Sequence, residues 1–157
     1  TKNATSNQDF FNDLQFRLGQ IVPKPENSFK FTIDSLHPQI IQRCKQLFDA
    51  GKYDEAIFNA MKTVEEEIRS RAVAEPTDLG VGLVSKVMNP HQPKLVFSSV
   101  NAEQEAVHFM YRGAIGSFKN PLSHRFLDTS DPIKTFEILS FASLLMRMLD
   151  DAILSSI

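Results

Sequence analysis

From Ser35 onward, apolar positions recur along the chain at helical spacing. Ile40, Ile41, Cys44, Leu47 and Phe48 fall on one face of a helix that Pro38 can start and Gly51 can end. After Gly51 the period resumes through Tyr53, Ala56, Ile57, Ala60, Met61, Val64 and Ile68, with Glu65, Glu66 and Arg69 opposite. So short a connection predicts an antiparallel helical hairpin. Between Glu75 and Asn101, the breakers Pro76, Gly80, Gly82, Pro90 and Pro93 leave room only for a short helix over Leu83 to Met88. A third long helix is expected from about Ala102 to Lys119, burying Val107, Met110, Ala114 and Phe118. It ends or kinks near Asn120, because a residue before proline is pushed out of the α region. The last helix opens with Asp131 as cap before Pro132 and runs through Phe141, Leu144, Leu145, Met148 and Ala152. Ile138, Leu139 and Leu149 widen its apolar surface beyond one seam, a surplus that could serve a dimer interface.

Upstream the pattern is less regular. Residues 1–9 are polar, and Phe10, Phe11, Leu14, Phe16 and Leu18 form a loosely helical apolar group that Pro23 and Pro25 stop. Phe29 to Ile33 alternates weakly, as a strand would, with nothing in the sequence for it to pair with. The expected organisation is an N-terminal arm or linker over 1–34 and a helical domain over 35–157. With four substantial helices and almost no strand signal, the fold class is all-α, a four- to five-helix bundle.

Composition narrows the function classes. The 157 residues carry 42% hydrophobic and 23% charged positions, the balance of one globular domain. Seventeen Lys and Arg against nineteen Asp and Glu leave a net charge of −2, so a nucleic-acid site must be a local patch. Cys44 is the single cysteine, which excludes an internal disulfide and a multi-cysteine zinc site. No run of eighteen apolar residues and no leader-like segment is present, so the expectation is a cytoplasmic protein without a membrane span. Because the sequence opens on Thr1 rather than Met, the reading allows for a piece of a longer protein.

Phosphate-loop, dinucleotide, zinc-protease and serine-hydrolase motifs are missing, and no cofactor or metal is expected. The most unusual run is Lys119-Asn120-Pro121-Leu122-Ser123-His124-Arg125, which gathers two cations, an amide and an imidazole at a helix break. Cleaving RNA without a metal requires a base for the ribose 2′-hydroxyl, an acid for the leaving 5′-oxygen and a cation beside the phosphate. His124 and Lys119 can fill those roles, and two chains meeting across a symmetric interface would supply separate acid and base. The plainer readings are a helix cap at Asn120 before Pro121, helix-end charges at Lys119 and Arg125, and a structural His124. His108, Arg112 and Lys119 fall within roughly 40° of one another on an α-helix, a cationic stripe that suits a single-stranded RNA backbone or is simply a solvated face. Glu65 with Arg69 and Glu67 with Arg71 read as i,i+4 pairs on an outer face, unless one acid turns inward to orient His124 or Lys119. His37 and His91 show no metal-ligand spacing and are assigned no role.

The segments GKYDEAIFNAMKTVEEEIRSRA and EQEAVHFMYRGAIGSFKNPLSHR, followed by a closing apolar helix, resemble the Ymh-type branch of the HEPN superfamily from about His37 to Ala152. That superfamily ends a helix with Arg, usually a polar residue such as Asn next, and a His four to six residues beyond the Arg. The matching positions are Lys119, Asn120 and His124. The resemblance implies a dimerising bundle acting as a metal-independent endoribonuclease in defence, toxin-antitoxin or RNA-processing systems. His124 would be the acid/base group and Asn120 the polar orienting group, with Lys119 in the arginine position; separately from the resemblance, the cationic residues Arg112, Arg125 and His108 are expected along the RNA. Lys in place of Arg is the departure, since it offers a point charge rather than a planar fork, which Arg112 or Arg125 could supply. Some members of the superfamily look non-catalytic, so the alternative is a dimerisation or sensor module within a larger defence protein. Implied partners are RNA, a second copy of the chain, and an antitoxin, sensor domain or other protein. FDAGKYDEAIFNAMKTVE also resembles a tetratricopeptide hairpin, but no second copy appears near position 85 or 120, where that repeat would need one.

Overall fold

The computed structural model describes Asn12, residues 31–119 and residues 131–155. The chain divides into two units, Thr1–Phe31 and Thr32–Ile157, and everything below concerns the second. Its described part is mostly helical. A 3-10 turn over Ile33–Ser35 leads into α1 (Pro38–Asp49), α2 (Tyr53–Arg71), α3 (Gly80–Val87), α4 (Asn101–Ala114) and α5 (Pro132–Asp151). Two short strands, β1 (Leu95–Val96) and β2 (Ile153–Leu154), pair antiparallel with Leu95 opposite Leu154. The all-α expectation holds. Of the weak alternation expected over Phe29 to Ile33, residues 29 and 30 lie outside the described residues, Phe31 and Thr32 are not in a strand, and Ile33 opens the 3-10 turn.

Local chemistry explains the helix ends. Pro38 occupies the first turn of α1, and the His37 ring caps it by accepting from the Gln39 N–H at 3.3 Å. Gly51 closes α1 in the left-handed region at φ 71°. The Gly51 N–H bonds Phe48 O at 3.0 Å and the Lys52 N–H bonds Leu47 O at 2.8 Å, which satisfies carbonyls the helix end would otherwise orphan. The C-terminus of α2 repeats this pair of bonds with Val73 at the left-handed position, φ 47°, where a β-branched side chain is strained. At α5, Asp131 caps as expected by accepting from the Ile133 and Lys134 N–H groups.

Helix α2 is the central element, packed by α1, α5 and the segment that follows α4. Ala56, Ala60, Met61, Val64 and Ile68 of α2 are inaccessible to solvent, as are Ile40 and Cys44 of α1 and Leu139, Leu145 and Leu149 of α5. This corrects one expectation: Ile138, Leu139 and Leu149 are buried within the chain, so they are not a surplus for an interface. Leu144, expected in the core, is 51% exposed.

Two departures bear on the site. Helix α4 stops at Ala114, and Ile115–Lys119 continues as a π-helix, where an unbroken α-helix was expected. Gly113, Gly116 and Ser117 hold this stretch, and weak α-formers leave room for the wider i→i+5 winding. The buried face of α4 is also rotated from the expected one: Gln104, His108, Tyr111 and Ala114 point inward while Val107 and Met110 are half-buried. Polar groups are tolerated there where they find partners. Tyr111 donates its hydroxyl to Leu145 O at 2.7 Å. The Gln104 amide donates to Leu95 O at 3.0 Å and to Met88 O at 3.3 Å, while its oxygen accepts from the Phe97 N–H at 2.9 Å.

Candidate functional site

Of the residues singled out from the sequence, Lys119, Arg112 and His108 are among those described. Asn120, His124 and Arg125 lie outside the described residues.

Lys119 ends the π segment with its side chain turned toward α2, only 15% exposed. Its ammonium donates to Glu65 Oε2 at 2.7 Å. Glu65 sits mid-helix on α2 and is 3% exposed, so the carboxylate points into the protein rather than to solvent. Its other oxygen accepts from Arg69, one turn on, at 2.8 Å, which is the expected i,i+4 pair. The Gly80 N–H, at the start of α3, donates to Oε2 at 2.9 Å and sets the carboxylate at a helix N-terminus. Gly80 takes φ 58° to make that turn, a conformation that costs other residues strain. The Arg69 Nε also donates to Asp78 O at 3.0 Å, tying the loop before α3 to the same cluster. Both sequence readings of the acidic face are therefore met by one residue: Glu65 pairs with Arg69 and holds Lys119.

Burial pushes the Glu65 carboxyl upward. The hydrogen bond from Lys119, the Gly80 N–H, the charge on Lys119 and the Arg69 bond together outweigh it and hold the group below the ordinary carboxylate range. Two cations against one carboxylate leave a single net positive charge beside the end of the π segment. Arg112 is exposed on α4, and its charge acts on His108 of the same helix.

The cationic stripe expected on the third helix does not form as one solvated face. His108 is 8% exposed, stacks on Phe109 with ring centroids 5.6 Å apart, and has its Nε2 buried without a hydrogen-bond partner among the described residues. Burial, with the nearby Arg112 charge, lowers its pKa, so it is neutral at physiological pH. The reason is geometric. The buried face of α4 is rotated onto His108, and the π winding turns Lys119 by less per residue than an α-helix would.

A second polar cluster, of which only the Glu67–Arg71 pair was foreseen in the sequence, joins α1, α2 and α5. The His37 Nε2 lies 3.0 Å from Asp150 Oδ2, Asp150 Oδ1 accepts from Arg71 at 2.7 Å, and Arg71 donates to Glu67 at 2.6 Å. A His–Asp pair of this kind resembles a catalytic dyad. Here, however, the other ring nitrogen caps α1 and the imidazole is buried, so the pair staples helices together. The available clue was His37 directly before Pro38, a cap position. Cys44 is buried, and burial, against a small opposing effect of Arg43, pushes its thiol up to about 12, which leaves it inert.

Among the described residues no group of three or more His, Cys, Asp or Glu is placed to hold a metal ion. No described helix is long and apolar enough to cross a membrane. No curated protein and no solved structure matches the chain. A family model described as a protein of unknown function (Hypoth_ymh) matches residues 34–149. That range holds the five described α-helices up to the last turn of α5, together with Glu65 and Lys119. The chain belongs to the Hypoth_Ymh family.

Proposed function

We propose that this chain is a metal-independent endoribonuclease of the HEPN type, working as a symmetric dimer through Lys119, Asn120 and His124. The observation that carries the reading is the buried Glu65–Lys119 pair at the end of a π-helical segment. π-helical turns recur at functional sites, and a cation held by a buried carboxylate is already oriented, so little ordering remains when a phosphate arrives. In the proposed reaction His124 of one chain removes the proton of a ribose 2′-hydroxyl. The 2′-oxygen then attacks phosphorus and the 5′-oxygen leaves. His124 of the partner chain, entering protonated, gives its proton to that oxygen, so the products carry a 2′,3′-cyclic phosphate and a 5′-hydroxyl. The net positive charge of the Glu65–Lys119–Arg69 cluster and Arg112 offset the charge that builds on the phosphoryl oxygens.

A specific observation favours the alternative of a non-catalytic dimerisation or sensor module. At 2.7 Å from a buried carboxylate and 15% exposed, Lys119 has the surroundings of a structural cation. One experiment separates the two. Wild type and His124→Ala are incubated with end-labelled mixed-sequence RNA in EDTA, with oligomeric state read by light scattering in the same samples. The nuclease reading expects wild-type cleavage to cyclic-phosphate ends, lost in the variant. Folded dimers of both proteins that leave RNA intact support the module.

A further inference from the structure

Directly beside Lys119 lies a pocket that the proposed chemistry does not use. Phe118, Ile138 and Phe141 form its apolar wall, and Lys134 and Glu137 stand at its rim. Its volume of about 350 Å³ is at the small end of ligand sites, enough for one flat ring system rather than an extended ligand. The rings of Phe118 and Phe141 meet edge to face, centroids 6.4 Å apart at 74°, so an edge of one meets the face of the other and a planar guest has an aromatic surface to lie against. Phe118 is the chain neighbour of Lys119, so the pocket opens beside the end of the π segment.

We propose that this pocket seats a guanine base of single-stranded RNA, stacked on one ring of the Phe118–Phe141 pair, with its Watson–Crick edge on Glu137 and its phosphate on Lys134. The inference rests on the RNA-cleaving reading for the identity of the polymer; the choice of base comes from Glu137. A carboxylate only accepts hydrogen bonds, and its two oxygens accept from two parallel donors. Guanine presents such a pair, N1–H and the N2 amino group. Adenine and cytosine place an acceptor beside their amino group, and uracil flanks its single N–H with two carbonyls, so each sets a lone pair against the carboxylate. Stacking on aromatic rings with readout of an exposed base edge is the usual way single-stranded RNA is recognised. Among the described residues neither Lys134 nor Glu137 has a side-chain hydrogen bond or ion pair, and both are exposed, so both are available to a ligand.

The test uses the full chain and labelled 2′-O-methyl hexanucleotides, which lack the attacking hydroxyl and cannot be cut. They carry a central guanine, inosine, adenine, cytosine or uracil, and binding is read by fluorescence anisotropy. Guanine is expected to bind about tenfold or more tighter than adenine, cytosine or uracil, with inosine, which lacks the N2 amino group, in between. Glu137→Gln should erase the preference while leaving thermal unfolding unchanged. Equal binding of all the oligonucleotides, no binding of any, or a guanine preference that survives Glu137→Gln overturns the proposal. Cleavage of ordinary RNA is scored separately. Cutting without base preference sinks the pocket and spares the nuclease, whereas guanine-selective binding without cutting does the reverse.

Discussion

Glu65 shows how one side chain can satisfy two demands that looked exclusive. On the helix surface it is the i partner of Arg69; seen from the core it is the counter-charge that lets Lys119 turn inward. Removing the cation leaves a buried carboxylate with fewer donors, which costs more than the pair itself contributes. Lys119→Met is therefore expected to lower stability by roughly 2 to 3 kcal/mol, and adding Glu65→Gln should recover about half of that or more. Urea titration of the two single variants and the double variant measures the coupling; additive losses would show that the two side chains do not depend on each other. His108 makes the complementary case, with a buried Nε2 that has no hydrogen-bond partner among the described residues. Its folded pKa lies below the unfolded value near 6.5, so the folded state binds its proton later than the unfolded one. The stability this contributes is full above pH 6.5 and is lost as pH falls through the folded pKa. The melting temperature of the wild type should fall between pH 7.5 and pH 5 by more than that of His108→Gln. Equal falls would mean that His108 is not kept neutral by the fold.

Among the helices, the ends obeyed local rules and the middle of one did not. Pro38, Gly51 and Asp131 act where the caps require them, because a cap depends only on a few neighbouring backbone groups. Val73 breaks the rule for the residue after a helix end. It holds φ 47° and the residue is 75% exposed, so the strain is not offset by burial. Val73→Gly keeps the two closing hydrogen bonds and removes the strain, and should raise stability by about 1 kcal/mol in thermal unfolding. A loss would show that the valine makes contacts worth more than its backbone strain. The π segment after Ala114 is the converse. Nothing in the period of Val107, Met110, Ala114 and Phe118 announces it, and it is what turns Lys119 toward Glu65 while keeping Ile115 in the core.

Across the whole molecule, α4 is locked to its neighbours by buried polar groups rather than by apolar area alone. Gln104 spans the crossover between α3 and α4 by taking up two carbonyls and one N–H, and these would be unpaired without it. Gln104→Leu, similar in volume, should cost about 3 kcal/mol in denaturant unfolding, since desolvated backbone groups lose their partners. A cost under about 1 kcal/mol would mean that water replaces the amide. The pairing of β1 with β2 closes the fold from the other side, joining the crossover to the chain after α5 through two residues on each strand. Strands this short carry no alternation, which is why a sequence reading passes over them.

What the sequence by itself determined is what depends on neighbours along the chain. Helical period and caps specified an all-α bundle, the hairpin of α1 and α2 and the start of α5 at Pro132, and they left room for a short helix in the crossover, although α3 begins at Gly80 and contains Gly82, both read as breakers. The i,i+4 pairs Glu65–Arg69 and Glu67–Arg71 were legible for the same reason. What only the tertiary structure decided is which face of each helix meets another. That choice buried His108 and Glu65, exposed Leu144, drew Ile138 and Leu139 into the chain's own core, and brought His37 to Asp150 across 113 positions. Period fixes the angle between side chains on one helix but not the rotation of that helix about its axis. The rotation is set by which polar groups find partners once the helices pack, and by a π segment that shifts the phase between Ala114 and Lys119.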